Sequence, residues 1–305
     1  MRPTPLQKGD TVGIVALACK VDFEALKPAI ELMENIWGLK VIIGESVMSE
    51  YHQFAGTDNI RANDFQLMLD NPEIKAIFSA RGGYGSSRLL DSIDFTAFQK
   101  SPKWVVGFSD ITAVLSHIRT LNIESLHATM PKLFLQEGGG EYSLESLRKI
   151  LFGEALNYEV NSQEINRLGI AKGKLIGGNL AILSHIFGSK SDINYDGKIL
   201  FLEDVNEYLY SIDRMMIQLK RAGKLKNLAG LIVGHFSDCQ DNNVPFGKTA
   251  NEIIQEAVAE YDFPVCYGFP VGHEPENWAM PVGREVILEV KTDGVFLREA
   301  TEILS

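Results

Sequence analysis

Long apolar runs are missing from this chain of 305 residues, and so is any excess of positive charge. No run approaches the roughly 18 apolar residues of a membrane helix, so no membrane span is expected. The opening stretch, Met1-Arg-Pro-Thr-Pro-Leu-Gln-Lys-Gly-Asp10, lacks the apolar centre of a secretory signal. Bases number 29 against 40 acids, a formal charge of -11, which repels a phosphate backbone and argues against nucleic-acid binding. Cysteine is scarce: Cys19, Cys239 and Cys266 are an odd number without paired spacing. That usage suits reduced thiols in a cytoplasmic protein better than a disulfide frame. There is no internal repeat and no low-complexity tract. His-Glu-x-x-His and any close His/Asp/Glu cluster are also absent, so neither metal nor cofactor is expected.

What remains is the composition of an ordinary globular protein, 45% hydrophobic and 23% charged, long enough for roughly two domains. Its first half alternates short apolar runs with amphipathic stretches. Residues 11–18, 39–43, 75–79 and 104–108 read as strands, and 23–37, 59–69 and 86–92 as helices. This order predicts a mostly parallel sheet covered by helices on both faces, with sites at the carboxyl ends of strands. Glu137-Gly-Gly-Gly-Glu141 approaches a boundary; a short helix over 144–152 and a polar stretch to Asn166 read as a linker. The expected division is an N-terminal domain over 1–136, a linker over 137–166 and a C-terminal domain over 167–305. The second half predicts strands at 198–202, 228–233 and near Val265, helices over 180–187, 211–221 and 250–259, and a closing hairpin at 284–290 and 294–298.

Ser109 stands between the strand over 104–108 and a helix carrying Ile111, Val114, Leu115 and Ile118. Such a serine exposes its hydroxyl at the edge of a sheet, and the next N–H, of Asp110, can face a developing oxyanion. It resembles the Gly-x-Ser-x-Gly elbow, with Gly107 as first glycine and Ile111 in place of the second. A plain N-cap is the competing role for Ser109. Arg81-Gly-Gly-Tyr-Gly85 also follows a strand and precedes a helix; an anion cradle, an oxyanion donor and a tight turn all fit it. Glu203 and Asp204 end the run Ile199-Leu-Phe-Leu202, and strand alternation turns them to opposite faces. His273 lies on a Gly/Pro-rich loop, where a histidine is better placed for catalysis than His117 or His185, which read as structural. His127 is a candidate supporting group. Serine, histidine and a carboxylate together supply what acyl transfer needs. Cys19 ranks below Ser109 as a nucleophile, because nothing beside it in the sequence depresses a thiol pKa.

Several blocks then combine: Gly9-Asp-Thr-Val-Gly-Ile-Val15, Ala80-Arg-Gly-Gly-Tyr-Gly85, Gly107-Phe-Ser-Asp-Ile-Thr112, Gly177-Gly-Asn-Leu180, Leu200-Phe-Leu-Glu-Asp204, Tyr210-Ser-Ile-Asp-Arg214, and Gly272-His273 with Asn277. Together, and in this order, they resemble the LD-carboxypeptidase (muramoyl-tetrapeptide carboxypeptidase) family of serine peptidases. The resemblance implies Ser109 as nucleophile, Glu203 as orienting acid and His273 as base, with oxyanion donors from the backbone N–H of Asp110 and Gly83. It implies an N-terminal open α/β domain, a C-terminal swivelling mixed-sheet domain and a homodimer. The triad would then straddle the two domains, with no metal. Arg81 is the candidate partner for the substrate carboxylate. One departure is His127-Ala-Thr-Met130, where many members have His-Gly-Pro-Met. The family reaction releases terminal D-alanine from cytoplasmic muropeptide tetrapeptides at an L,D bond, in cell-wall recycling. A sister branch, similar to microcin C self-immunity proteins, cleaves peptidyl or aminoacyl adenylates; no aromatic-rich insertion for stacking adenine is evident here. A non-enzymatic small-molecule sensor is the other class that the glycine-rich turn allows.

Overall fold

The computed structural model describes residues 1–300. The strands in chain order are β1 (Thr11–Val15), β2 (Lys40–Ile43), β3 (Ile74–Ser79), β4 (Trp104–Gly107), β5 (Ser125–His127), β6 (Asn157–Val160), β7 (Gly169–Asn179), β8 (Lys198–Val205), β9 (Gly230–Ser237), β10 (Val265–Tyr267), β11 (Met280–Val282), β12 (Glu285–Val290) and β13 (Val295–Glu299). The α-helices are α1 (Lys27–Glu31), α2 (Asp58–Asp70), α3 (Thr96–Lys100), α4 (Thr112–Thr120), α5 (Gly140–Leu151), α6 (Leu180–His185), α7 (Leu209–Arg221) and α8 (Ala250–Ala257).

Two mixed sheets result. The first runs β2-β1-β3-β4-β5-β11, parallel until β11 pairs antiparallel with β5. The second runs β10-β9-β8-β7-β12-β13-β6; its β7 to β10 half is parallel and the rest antiparallel. Fully buried strands such as Trp104–Gly107 explain the unbroken apolar runs of the sequence. Helix starts follow their caps: Thr57 accepts from the Ile60 N–H, Asn179 from the Ile182 N–H, and Thr249 with Glu252 forms a capping box.

Three local expectations change, and one further strand joins the first sheet. Residues 23–37 divide into a 3₁₀ turn, the short α1 and a wider final turn, and Pro28, which cannot donate to a preceding carbonyl, sits where α1 starts. Residues 86–92 form two 3₁₀ turns rather than a helix. The stretch 137–166, expected as linker, carries α5, which begins before the expected helix over 144–152, and β6, an edge strand of the second sheet. Met280–Val282 returns to the first sheet, pairing Met280 with His127.

The two halves share a core. One buried cluster continues from Phe65, Phe98, Ile111 and Leu115 into Leu180, Leu200, Ile212 and Met216. Polar contacts mark the same seam: His117 Nδ1 lies 3.0 Å from Ser191 Oγ, and His185 Nε2 lies 3.2 Å from Ser87 Oγ. Arg284, buried, bonds to both Glu124 (2.7 Å) and Glu299 (3.0 Å). No helix among the described residues is long and apolar enough to cross a membrane.

Candidate active site

The chain leaves β4 through a sharp turn in which Ser109 takes φ 62°, the left-handed region that a residue with a Cβ normally avoids. Such a conformation persists where packing dictates it. A Cβ on Gly107 would come 2.8 Å from Ile111 Cγ2, so Ile111 folds over a residue that must be glycine. A Cβ on Gly82 would come 3.0 Å from Ser109 Cβ. The serine is thus wedged between its own helix and the glycine loop after β3. It is a turn serine, not the N-cap of α4, whose cap residue is Ile111 without a side-chain cap bond.

The second domain delivers the partners. Glu203 lies on β8 and is completely buried; its Oε2 receives the Nδ1–H of His273 at 2.7 Å. The other ring nitrogen, Nε2, lies 3.0 Å from Ser109 Oγ. Serine and histidine are therefore already within hydrogen-bond reach across the domain boundary. The glycine before His273 is again required, because a Cβ on Gly272 (φ 133°) would sit 3.0 Å from Glu203 Cβ. The histidine loop is tied down behind: the Gly272 N–H donates to Asn277 Oδ1 (3.0 Å), and the Asn277 N–H to Ser143 Oγ on α5 (2.6 Å). Phe108 packs on the imidazole at 4.9 Å between ring centres.

Burial opposes protonation of His273, but the Glu203 hydrogen bond and charge outweigh it, and the pKa is raised above its ordinary value. Asp204 points the other way, as strand alternation requires. Its carboxylate receives the Asn179 amide (2.8 Å) and the Ala181 N–H (2.9 Å), at the start of α6. Burial, with Glu203 next to it, pushes its pKa up to about 7. His127 lies wholly buried between Phe108 and Phe201, and burial pushes its pKa down to about 4. It is a neutral group behind the site.

Asp110 is buried beside Ser109, and burial raises its pKa against the pull of the Ser86 and Gly85 N–H groups. Gly83, at φ 120°, lies against Cys19: a Cβ there would come 2.8 Å from Cys19 Cβ. Arg81 turns its Nη1 to the Lys20 carbonyl (3.2 Å) and lines a cleft of about 530 Å³ with Lys20, Asp22, Glu50 and Lys132. A second cavity, of about 670 Å³, opens beside β9 and α8, lined by His235, Phe236 and Lys248, and no triad residue lines either cavity. Among the described residues no three His, Cys, Asp or Glu side chains gather as a metal site needs.

Gly177, Gly178 and Asn179, which end β7, make a further contact between the domains. A Cβ on Gly178 would come 2.6 Å from the Thr112 side chain, and the Asn179 N–H donates to Thr112 Oγ1 at 3.1 Å. This contact docks the second domain onto the helix that follows the serine. Paired glycines before a capping Asn were the signal that could have marked it.

The family model of the LD-carboxypeptidase N-terminal domain matches residues 12–128, and that of the C-terminal domain matches residues 172–288. The chain is 32% identical to a Bacillus subtilis protein named a probable murein peptide carboxypeptidase, over 94% of this chain and 91% of that one. It is 30% identical to the murein tetrapeptide carboxypeptidase of Pseudomonas aeruginosa, over 91% and 92%. Among solved structures, the muramoyltetrapeptide carboxypeptidase of Oxalobacter formigenes superposes with a TM-score of 0.84 at 27% identity, covering 95% of this chain and 99% of that one. The microcin C7 self-immunity protein MccF shares the fold, with a TM-score of 0.88 at 22% identity over 98% and 99%. With both domain models matched in order and the fold shared throughout, the chain belongs to the LD-carboxypeptidase family and is a serine-type LD-carboxypeptidase.

Proposed function

We propose that Ser109, His273 and Glu203 act as nucleophile, base and orienting acid in releasing the terminal D-alanine of cytoplasmic muropeptide tetrapeptides. The observation that carries this reading is the unbroken chain Glu203 Oε2–His273–Ser109 Oγ, at 2.7 and 3.0 Å. In the first step Ser109 Oγ bonds to the carbonyl carbon of the L,D bond and its proton passes to His273 Nε2. The carbonyl oxygen becomes an oxyanion, for which the N–H groups of Gly83 and Asp110 are the donors. The tetrahedral adduct collapses as His273 gives its proton to the departing amine of D-alanine. Water then attacks the Ser109 ester, with His273 as base, and returns the serine. Glu203 holds the imidazole by Nδ1 throughout and balances its charge.

Arg81, in the cleft next to the glycine loop, is the candidate for the free carboxylate of the leaving residue. The relatives named for murein peptides support a cell-wall peptide as substrate, and a recycling role with a homodimeric state is part of this reading.

The test is a substrate panel: a tetrapeptide ending in D-alanine, its L-alanine counterpart, its C-terminal amide, and an aminoacyl-sulfamoyl adenylate. Inverting the last Cα misplaces the carboxylate, and losing a charge-assisted hydrogen bond of that kind costs about 1.5–3 kcal/mol, roughly ten- to a hundredfold in rate. Only the D-alanine peptide should be cleaved well. Preferential cleavage of the adenylate would replace the cell-wall substrate while leaving the serine chemistry standing. Ligand binding without any hydrolysis would leave a sensor.

A further inference from the structure

Arg61 takes no part in the steps above, yet it is a completely buried cation in the first turn of α2. Burying a guanidinium is costly, and an apolar side chain of similar volume would often do as well for stability. Only one of its nitrogens is spent on backbone that frames the site, and Nε has no partner among the described residues. Nη1 donates to the Leu17 carbonyl (2.7 Å) and the Gly85 carbonyl (3.1 Å), and Nη2 pairs with Asp58. The guanidinium also lies 4.9 Å from the centre of the Phe54 ring. Leu17 begins the segment that brings Cys19 against Gly83, and Gly85 closes the glycine loop on the other side of Gly83. Immediately beyond, the Ser86 N–H donates to the Asp110 carboxylate (2.8 Å) and Ser86 Oγ to the Asp110 carbonyl (2.7 Å). One bonded frame, Arg61 to Gly85 and Ser86 to Asp110, thus ties the end of the glycine loop, two residues beyond Gly83, to the other residue whose N–H must face the same oxygen. Gly82, Gly83 and Gly85 give the loop little stiffness of its own.

We propose that Arg61 is a positioning residue that sets the separation of the Gly83 and Asp110 N–H donors. The inference rests on the reading of these two groups as the oxyanion donors. Two variants reach the clamp from opposite sides. Arg61→Lys keeps the charge but ends one bond short of Nη1 and lacks the second nitrogen that pairs with Asp58, and Gly85→Ala would bring a Cβ 2.8 Å from Arg61 Nη1. Both should lower kcat for D-alanine release by roughly a hundredfold, the order expected for a misplacement of about 1 Å, with KM within threefold of wild type.

The readout that a merely structural role would not move is affinity for a peptidyl boronic acid, whose adduct on Ser109 carries a tetrahedral oxygen. It should weaken by the same factor as kcat. Binding of the intact tetrapeptide to these variants in a Ser109→Ala background should stay unchanged. The inference fails if folded variants keep kcat within threefold, or lose kcat with boronate affinity intact. If Arg61→Lys does not fold, Arg61→Met, uncharged and of similar length, carries the comparison, because Ala at Gly85 (φ 125°) is strained whatever Arg61 does. A Ser109→Ala protein that retains turnover would instead remove the underlying reading. An essential Ser109 with unaffected clamp variants would remove only the role of Arg61.

Discussion

Replacing Glu203 by Gln removes one fully buried charge from behind the histidine. The Glu203 side chain is 0% exposed and that of His273 16%, with 2.7 Å between Oε2 and Nδ1. At an effective dielectric of about 20, unit charges centred about 4 Å apart attract by about 4 kcal/mol. That attraction arises only as His273 becomes an imidazolium, that is, on the way to the tetrahedral adduct. Its loss therefore falls on the barrier and is worth about a thousandfold in kcat/KM. The amide also leaves the ring free to adopt the tautomer with Nε2–H, which cannot accept the serine proton, so a thousandfold is a lower figure. The same substitution moves the pH profile. Burial lowers the His273 pKa, and the Glu203 hydrogen bond and charge raise it; with the latter gone, the acid limb of kcat/KM should move to lower pH. The assay is D-alanine release, coupled to a D-amino-acid oxidase, across pH 5 to 9. A Glu203→Gln protein within threefold of wild type, with an unmoved limb, would refute the reasoning.

In the wild type the acid limb should lie above the ordinary histidine value of about 6.5, since the base must be neutral and its pKa is raised. By linkage, the stability His273 contributes is full below about 6.5 and is lost as pH rises through its folded pKa, so the difference in melting temperature between wild type and Glu203→Gln should shift against wild type over that range. His127, neutral down to about pH 4, should add no limb in this range, which a His127→Gln profile checks. Gly107→Ala forces a Cβ to 2.8 Å from Ile111 and should cost about 1–3 kcal/mol in denaturant titrations, with a matching loss of activity. Prolonged chelation should leave turnover unchanged; a loss restored by zinc would overturn the metal-free mechanism.

The alternation of apolar strands and amphipathic helices made the first sheet legible, because buried parallel strands need unbroken apolar runs. Met280–Val282 was not legible as part of that sheet: three residues with a proline carry no periodicity, and only the pairing with Ser125–His127 gives them a partner. Glu203 and Asp204 could be sent to opposite faces by strand alternation, but which one faced the serine depended on the placement of β8 across the domain seam. The left-handed backbone of Ser109 left its trace in Gly107, although Ile111 hid the second half of the elbow pattern. Arg61 was invisible for a different reason. On α2 the buried face includes Arg61 and Asp64, so polarity and burial do not separate there, and apart from the Asp58 pair the bonds that compensate them come from loops distant in sequence.

The central claim is that one hydroxyl, set by the turn after β4 and activated from the other domain, performs the hydrolysis. The most direct measurement is intact mass and peptide mapping after treatment with a fluorophosphonate, beside turnover of the D-alanine tetrapeptide by Ser109→Ala. The account predicts one adduct, on Ser109, no adduct in the folded Ser109→Ala protein, and no D-alanine release by it. Modification at another serine, or undiminished turnover by Ser109→Ala, would contradict it.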